Sequence, residues 1–308
     1  MTEPVPELEA LRANLRAAVR GADGTVERVL AAVLAGGHVL LEDVPGTGKT
    51  TLAKALARSL GATFARIQFT PDLLPTDILG GSVYRASDGA FLFRPGPVFS
   101  QVVLADEVNR ASPRTQSALL EAMAERQVSI EGETRPLPEP FLVLATENPV
   151  EHAGTFPLPE AQLDRFCMRL SLGYPAREEE VRVLRDHAAA EPVDALRPVL
   201  PPARLAELQA RVRAVAAEDS VLDYVVRLVS RTRAEPRLRL GASPRASLDL
   251  RRCAQAAALL AGRDFVTPSD VRSLAVPVLA HRLLAAPRAG ATAAEIVESV
   301  VRSEPVPD

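Results

Sequence analysis

An α/β fold built on a parallel sheet, followed by a second, all-helical domain, is what this sequence of 308 residues predicts. Three features carry that expectation. Up to about residue 175, short apolar runs rich in β-branched residues alternate with amphipathic stretches, as in strand–helix–strand units. Beyond that point, long Ala/Leu/Arg-rich segments with helical spacing take over. Between the first apolar run and the first helix of that alternation lies a glycine turn that ends in Gly-Lys-Thr. An α/β domain is therefore expected over residues 1–175 and a helical domain over 176–308.

The strands read as buried ones, as in a sheet covered on both faces. They are expected at 38–42, 63–69, 102–106, 141–146 and 168–172. Helices are expected between them at 49–60, 112–125 and 159–165. Gln127-Val128-Ser129-Ile130 reads as a hairpin strand that turns at Glu131-Gly132-Glu133. A second insertion, rich in glycine and aromatics, runs from Leu79-Gly80-Gly81 to Pro97-Val98-Phe99. Tyr174-Pro175 is the seam, because proline biases its predecessor out of the helical region. A helix then opens at Ala176 with three acids, Glu178, Glu179 and Glu180, in the turn that the helix dipole favours for them. Further helices are expected at 202–215, 221–232, 243–261, 267–283 and 292–302.

Composition removes several classes. Hydrophobic residues make up 47% and charged residues 24%, ordinary values for a globular chain. Thirty-six basic against 39 acidic side chains leave a net charge of -3, so no global positive field exists to hold nucleic acid. No apolar run approaches the roughly 20 residues that span a bilayer, so no membrane insertion is expected. The acidic, proline-bearing start, Met1-Thr2-Glu3-Pro4, is unlike a secretion signal and points to the cytoplasm. Cys167 and Cys253 lack disulfide or zinc spacing and read as buried small hydrophobes. His38, His152, His187 and His281 are isolated and read as structural. Lysine occurs only at Lys49 and Lys54, so a lysine kept against so strong an arginine bias marks chemistry.

The chemistry concentrates at strand ends. In Pro45-Gly46-Thr47-Gly48-Lys49-Thr50-Thr51, the glycines let the backbone curl so that amides face phosphate oxygens at a helix N-terminus. Lys49 would reach the β- and γ-phosphates of ATP, and Thr50 would offer its hydroxyl to Mg2+. The general pattern wants glycine where Asp43 stands. Downstream, the strand at 102–106 ends in Asp106, expected to hold the metal shell, and Glu107, placed to polarise the attacking water. Asn148, after the strand at 141–146, is the candidate amide for orienting that water. Arg165, closing a short helix, could enter a neighbouring subunit's site, and Arg245 could contact the phosphates of its own subunit.

This ordered set resembles the AAA+ ATPases and, within them, is closely similar to the MoxR family. The likeness rests on Leu41-Glu42-Asp43-Val44-Pro45-Gly46-Thr47-Gly48-Lys49-Thr50, Ile67-Gln68-Phe69-Thr70-Pro71-Asp72-Leu73-Leu74-Pro75-Thr76-Asp77 and Ala105-Asp106-Glu107-Val108-Asn109-Arg110. It continues in Gly154-Thr155-Phe156-Pro157-Leu158-Pro159, Leu163-Asp164-Arg165-Phe166 and Gly241-Ala242-Ser243-Pro244-Arg245. The resemblance implies a P-loop sheet of strand order 5-1-4-3-2, a helical lid and a homo-oligomeric, hexameric ring. It also implies chaperone-like remodelling or maturation of a client protein complex, including metal-cofactor insertion, beside a von Willebrand A-domain partner. It makes Asn148 sensor 1, Arg165 the arginine finger, Arg245 sensor 2 and Arg110 a second intersubunit arginine. Residues 80–99 and 127–138 resemble two inserts near the ring's pore. A small-molecule phosphotransferase and a nucleic-acid motor are the alternatives that the same cradle would serve.

Overall fold

Side chains that alternate between two buried faces build the centre of the molecule. In this computed structural model, residues 5–87, 89–148, 154–186 and 191–307 are described. The strands in its first part are β1 (Val39–Glu42), β2 (Phe64–Gln68), β3 (Gly80–Arg85), β4 (Ala90–Pro95) and β5 (Val102–Asp106). They continue with β6 (Gln127–Ile130), β7 (Glu133–Pro136), β8 (Leu142–Glu147) and β9 (Met168–Leu170). Five of them form one parallel sheet in the order β2-β5-β8-β1-β9. Counted among themselves in chain order, these five stand 5-1-4-3-2, with β3–β4 and β6–β7 as separate antiparallel hairpins.

Each central strand sends alternate residues to opposite cores, as a period of two requires. Val39, Leu41, Val102, Leu104, Leu142 and Leu144 face one core, and Leu40, Val103, Ala105, Val143 and Ala145 face the other. The first core is covered by α1 (Pro6–Ala18), α2 (Asp23–Leu34) and α3 (Lys49–Leu60). The second contains residues of α4 (Pro75–Leu79) and α5 (Pro113–Glu125). α5 starts at Ser112, whose hydroxyl accepts from the Thr115 amide, and carries Pro113 at its first position, where no amide is needed. Neither α1 nor α2 is among the expected helices. Their signals are in the sequence: Leu8, Leu11, Leu15 and Ala18 repeat at helical spacing after Pro6, with Glu7 and Glu9 in the first turn.

The short helix α6 (Glu160–Leu163) precedes β9. After β9 come α7 (Arg177–Asp186), α8 (Pro202–Ala214), α9 (Asp219–Ala234), α10 (Pro244–Leu260), α11 (Pro268–Leu279) and α12 (Ala293–Ser303). The helix expected over 267–283 is shorter: α11 ends at Leu279, and Ala280–Arg282 form a 3-10 turn. Pro277 removes one amide donor from its last turn. Two short strands, β10 (Leu238–Leu240) and β11 (Leu284–Ala285), pair antiparallel within this part. His38 and His281 are buried, and burial holds both imidazoles near a pKa of about 3, hence neutral. His152 and His187 lie outside the described residues. Cys167 and Cys253, far apart in sequence, are both buried and meet in the fold.

The turn at Ala280–Arg282 also drives Arg282 inward. Its guanidinium, 1% exposed, donates to the Phe166 carbonyl at 2.7 Å and to Asp249 of α10 at 2.7 Å, and stands 3.5 Å from Asp164. Asp164 in turn accepts from the hydroxyl of Ser243, the N-cap of α10, at 3.0 Å. One buried cation thus joins the segment before β9 to the start of α10. Removing it takes the buried cation from two carboxylates and leaves Asp249 only Arg245 at 4.0 Å, so Arg282→Met is expected to cost about 3 kcal/mol or more in urea unfolding. A loss below about 1 kcal/mol would show that this junction is held by packing alone.

Candidate active site

β1 ends at Glu42, and the chain must reverse into α3 within six residues. Gly46 at φ 84° and Gly48 at φ 93° make that reversal, in a region where a side chain is strained even though open space surrounds Gly46. Gly48 is the N-cap of α3, so the first amides of the helix face the loop's hollow. Lys49 folds back over the loop, its ammonium donating to the carbonyls of Asp43 at 2.9 Å and Val44 at 2.8 Å. Burial lowers its pKa, against the opposing charges of Asp43, Asp106 and Glu107.

Asp43, the departure from the usual glycine, has a structural task. Its buried carboxylate accepts from the Ser171 hydroxyl at 2.7 Å and from the amides of Leu172 at 2.6 Å and Gly173 at 3.2 Å. The start of the loop is thereby tied to the chain leaving β9. Nothing in the local pattern announces these partners, which lie about 130 residues away.

The acids stand at the carboxyl end of β5. Asp106 is mostly buried, and Thr146 at the same level of β8 donates its hydroxyl to one carboxylate oxygen at 2.7 Å. Arg66 of β2 donates twice to the other oxygen, at 2.6 and 3.1 Å. Glu107 is held in the left-handed region, φ 57°, by its own amide bonding to Thr146 Oγ1 at 2.8 Å. A non-glycine residue in that conformation is strained, and such strain gathers at functional sites. Its carboxylate accepts from Gln68 at 3.0 Å and from Arg110 at 3.1 Å. Arg110, expected as an intersubunit arginine, therefore neighbours Glu107 of its own chain.

A cavity of about 390 Å³ brings these parts together, lined by Pro45, Gly46, Gly48, Lys49, Thr50, Thr51, Asp106, Glu107 and Asn148. Thr47 is the exception in the loop, its hydroxyl donating to the Val44 carbonyl at 3.3 Å. Arg66, Thr146 and Glu147 complete the wall and were not among the expected site residues. Position could have exposed them: Thr146 and Glu147 end a strand beside the acids, and Arg66 shares an outward face of β2 with Gln68.

Arg165 and Arg245 are elsewhere. Both border a second cavity of about 170 Å³ that also meets Gly37 and His38, at the amino end of β1. The loop of the first cavity leaves the opposite, carboxyl end of that strand. In this arrangement Arg245, expected to contact its own subunit's phosphates, does not line the cavity of its own loop. The physical reason is the Asp164–Ser243–Arg282 junction, which pins the start of α10 beside Arg165. Arg165 itself donates to the Leu120 carbonyl.

Residues 38–168 match the ATPase family associated with various cellular activities (AAA), and residues 230–300 match the AAA lid domain. The protein YeaC of Bacillus subtilis (strain 168) is 52% identical over 281 residues, spanning 90% of this chain and 88% of YeaC. Chaperone MoxR1 of Mycobacterium tuberculosis is 45% identical over 289 residues, spanning 91% of this chain and 76% of MoxR1. Among solved structures, a candidate ATPase from Cytophaga hutchinsonii superposes with a TM-score of 0.90 at 38% identity, covering 98% of this chain and 96% of the other.

One wall of the large cavity titrates. Glu147 stands opposite Glu42 across the β1–β8 ladder, and burial, then the Glu42 charge, push its carboxyl up to about 7 against a smaller pull from Arg169. With the folded-state pKa above the ordinary 4.5, the native protein holds a proton that the unfolded chain releases, so stability falls as pH rises from 4.5 to about 7. Glu147→Gln is expected to flatten that slope and to add about 1–3 kcal/mol at pH 8 while changing little at pH 4.5. Urea midpoints at the two pH values decide, and equal shifts at both would refute it.

Proposed function

The chain belongs to the MoxR family of AAA+ ATPases, and from that membership we propose that it binds ATP with Mg2+ in the 390 Å³ cavity and hydrolyses it. The observation that carries the reading is the convergence, in one cavity, of a phosphate-type loop with two acids and an amide from the next two strands. The donor chemistry suits the metal: the Thr50 hydroxyl and the Asp106 carboxylate are hard oxygen ligands bordering the same space. Magnesium, when bound, neutralises charge on the β- and γ-phosphates.

In this reading the loop from Pro45 to Thr51 cradles the phosphates with the main-chain N–H groups of Gly46 to Thr51, and Lys49 gives up its two carbonyl partners for phosphate oxygens. Thr50 and Asp106 hold the metal. Glu107 takes a proton from the attacking water, and Asn148 orients that water from the neighbouring strand. Arg165 serves a site on an adjoining subunit, where a guanidinium stabilises charge on the transferring phosphoryl group. Arg245, sharing Arg165's cavity, serves the same neighbour. ATP is then cut at a seam between protomers of a homo-oligomeric ring, with six the expected number.

The seam at Tyr174-Pro175 separates an α/β domain, 1–175, from the helical lid, 176–308, and the turnover cycle moves one against the other. The relative named a chaperone supports remodelling of client proteins as the use of that motion, and the cytoplasm is the place this reading expects for it. Maturation of a metal enzyme beside a von Willebrand A-domain protein is the finer form of the same proposal. The hairpins β3–β4 and β6–β7, joined by Arg135 lying 4.0 Å over the Phe93 ring, offer exposed Tyr84 and Phe91 for such contacts.

Two experiments test the reading. Glu107→Gln is expected to keep nucleotide affinity within a few-fold while turnover falls roughly a hundredfold or more; unchanged hydrolysis removes Glu107 from the role of base. Arg165→Ala and Lys49→Ala subunits, each inactive alone, are expected to recover part of the ATPase rate when mixed. No recovery at any ratio excludes sites shared between subunits.

A further inference from the structure

Asp106, the carboxylate assigned to the metal, already has a cation on it. Arg66 places both Nε and Nη2 on a single oxygen, Oδ2, while Oδ1 takes the Thr146 hydroxyl. The Asp106 side chain is 12% exposed against 48% for Arg66, so the acid is fixed and the guanidinium sits at the mouth of the cavity on a flexible stem. A carboxylate so enclosed is costly without a countercharge, and the ion pair supplies one. The same guanidinium also donates to Gln68 Oε1 at 2.9 Å, a neutral partner that keeps it over the cavity.

We propose that Arg66 is the resident counter-ion of Asp106, which the nucleotide-bound Mg2+ must displace. The inference rests on Thr50 and Asp106 being the metal's protein ligands. A guanidinium nitrogen at 2.6 Å from Oδ2 competes for that oxygen with any divalent cation that would bind it, at about 2.0–2.1 Å. The two cations repel at that range. The incoming triphosphate offers Arg66 new anionic oxygens within the same space, since Arg66 lines that cavity beside Lys49 and Thr50. Metal binding and nucleotide binding are thereby linked through one side chain: without nucleotide the guanidinium guards Asp106, and with it the guard has somewhere to go. A divalent ion alone, bringing no phosphate, has to evict Arg66 without compensation.

The test reads metal affinity rather than turnover. On the Glu107→Gln background, binding of a methylanthraniloyl-ATP is followed by fluorescence while Mg2+ is titrated from a chelated start. Arg66→Gln, a neutral replacement, is expected to lower the Mg2+ midpoint by about fivefold or more, at the low end of couplings between binding sites. Arg66→Lys, which keeps the charge but not the paired donors, is expected to fall between. Adding Asp106→Asn to both the parent and its Arg66→Gln variant should abolish the difference between them. A midpoint that is unchanged or raised in Arg66→Gln overturns the proposal and leaves the ATPase reading standing. Analogue binding by the parent that ignores Mg2+ altogether overturns the metal assignment and this proposal with it. Should Arg66→Gln fail to fold, the Arg66→Lys titration alone decides, a midpoint equal to the parent's counting against.

Discussion

A single buried carboxylate sets the geometry on which the proposed chemistry depends. Asp43 begins the loop after β1, and its three acceptor contacts come from the Ser171–Gly173 segment that leaves the adjacent edge strand β9. The loop is therefore anchored at its first residue to the sheet's edge and at its last to α3. Its own main-chain oxygen, with that of Val44, then receives the Lys49 ammonium. A glycine at position 43 would give the loop the same freedom as its other glycines and no tie. The aspartate exchanges freedom for position, and a loop that must present several amides to one phosphate gains from being rigid before the ligand arrives.

The opposite end of the sheet is organised by the reverse charge. Arg282, wholly enclosed, gathers Asp164, Asp249 and the Phe166 carbonyl, and so fixes α10 against the segment that carries Arg165. Arg245 is carried along because it lies in the first turn of α10, just after Ser243, whose hydroxyl Asp164 holds. The two arginines consequently travel as a unit, with β1 between them and the phosphate loop of the same chain. That separation is what the proposed completion of the site by a neighbouring protomer rests on.

Most of the α/β part was legible because its signals are local. A parallel strand buried on both faces must be apolar throughout, so β1, β5 and β8 announced themselves, and Gly46 and Gly48 marked the turn that only residues free of Cβ make without strain. α1 and α2 went unread although Leu8, Leu11 and Leu15 repeat correctly, because an amphipathic stretch before the first strand has no motif beside it to give it meaning. In the candidate site, Lys49, Thr50, Asp106, Glu107 and Asn148 were readable from strand ends. Arg66 and Thr146 were not, since an arginine inside an edge strand and a threonine at a strand terminus each have ordinary reasons to be there.

The sequence by itself determined which residues can curl around a phosphate, which strands carry acids at their carboxyl ends, and that a helical part follows an α/β part. Those properties depend on backbone freedom, apolar periodicity and spacing, all encoded within a few residues of one another. Only the tertiary structure decided that Asp43 is a tether, that Asp106 is paired with Arg66, and that Arg245 sides with Arg165 away from its own loop. Each of these turns on a charged group whose partner lies 40 to 130 residues away. Coulomb attraction in a buried place acts on distance in space, and no local pattern in a chain specifies that distance.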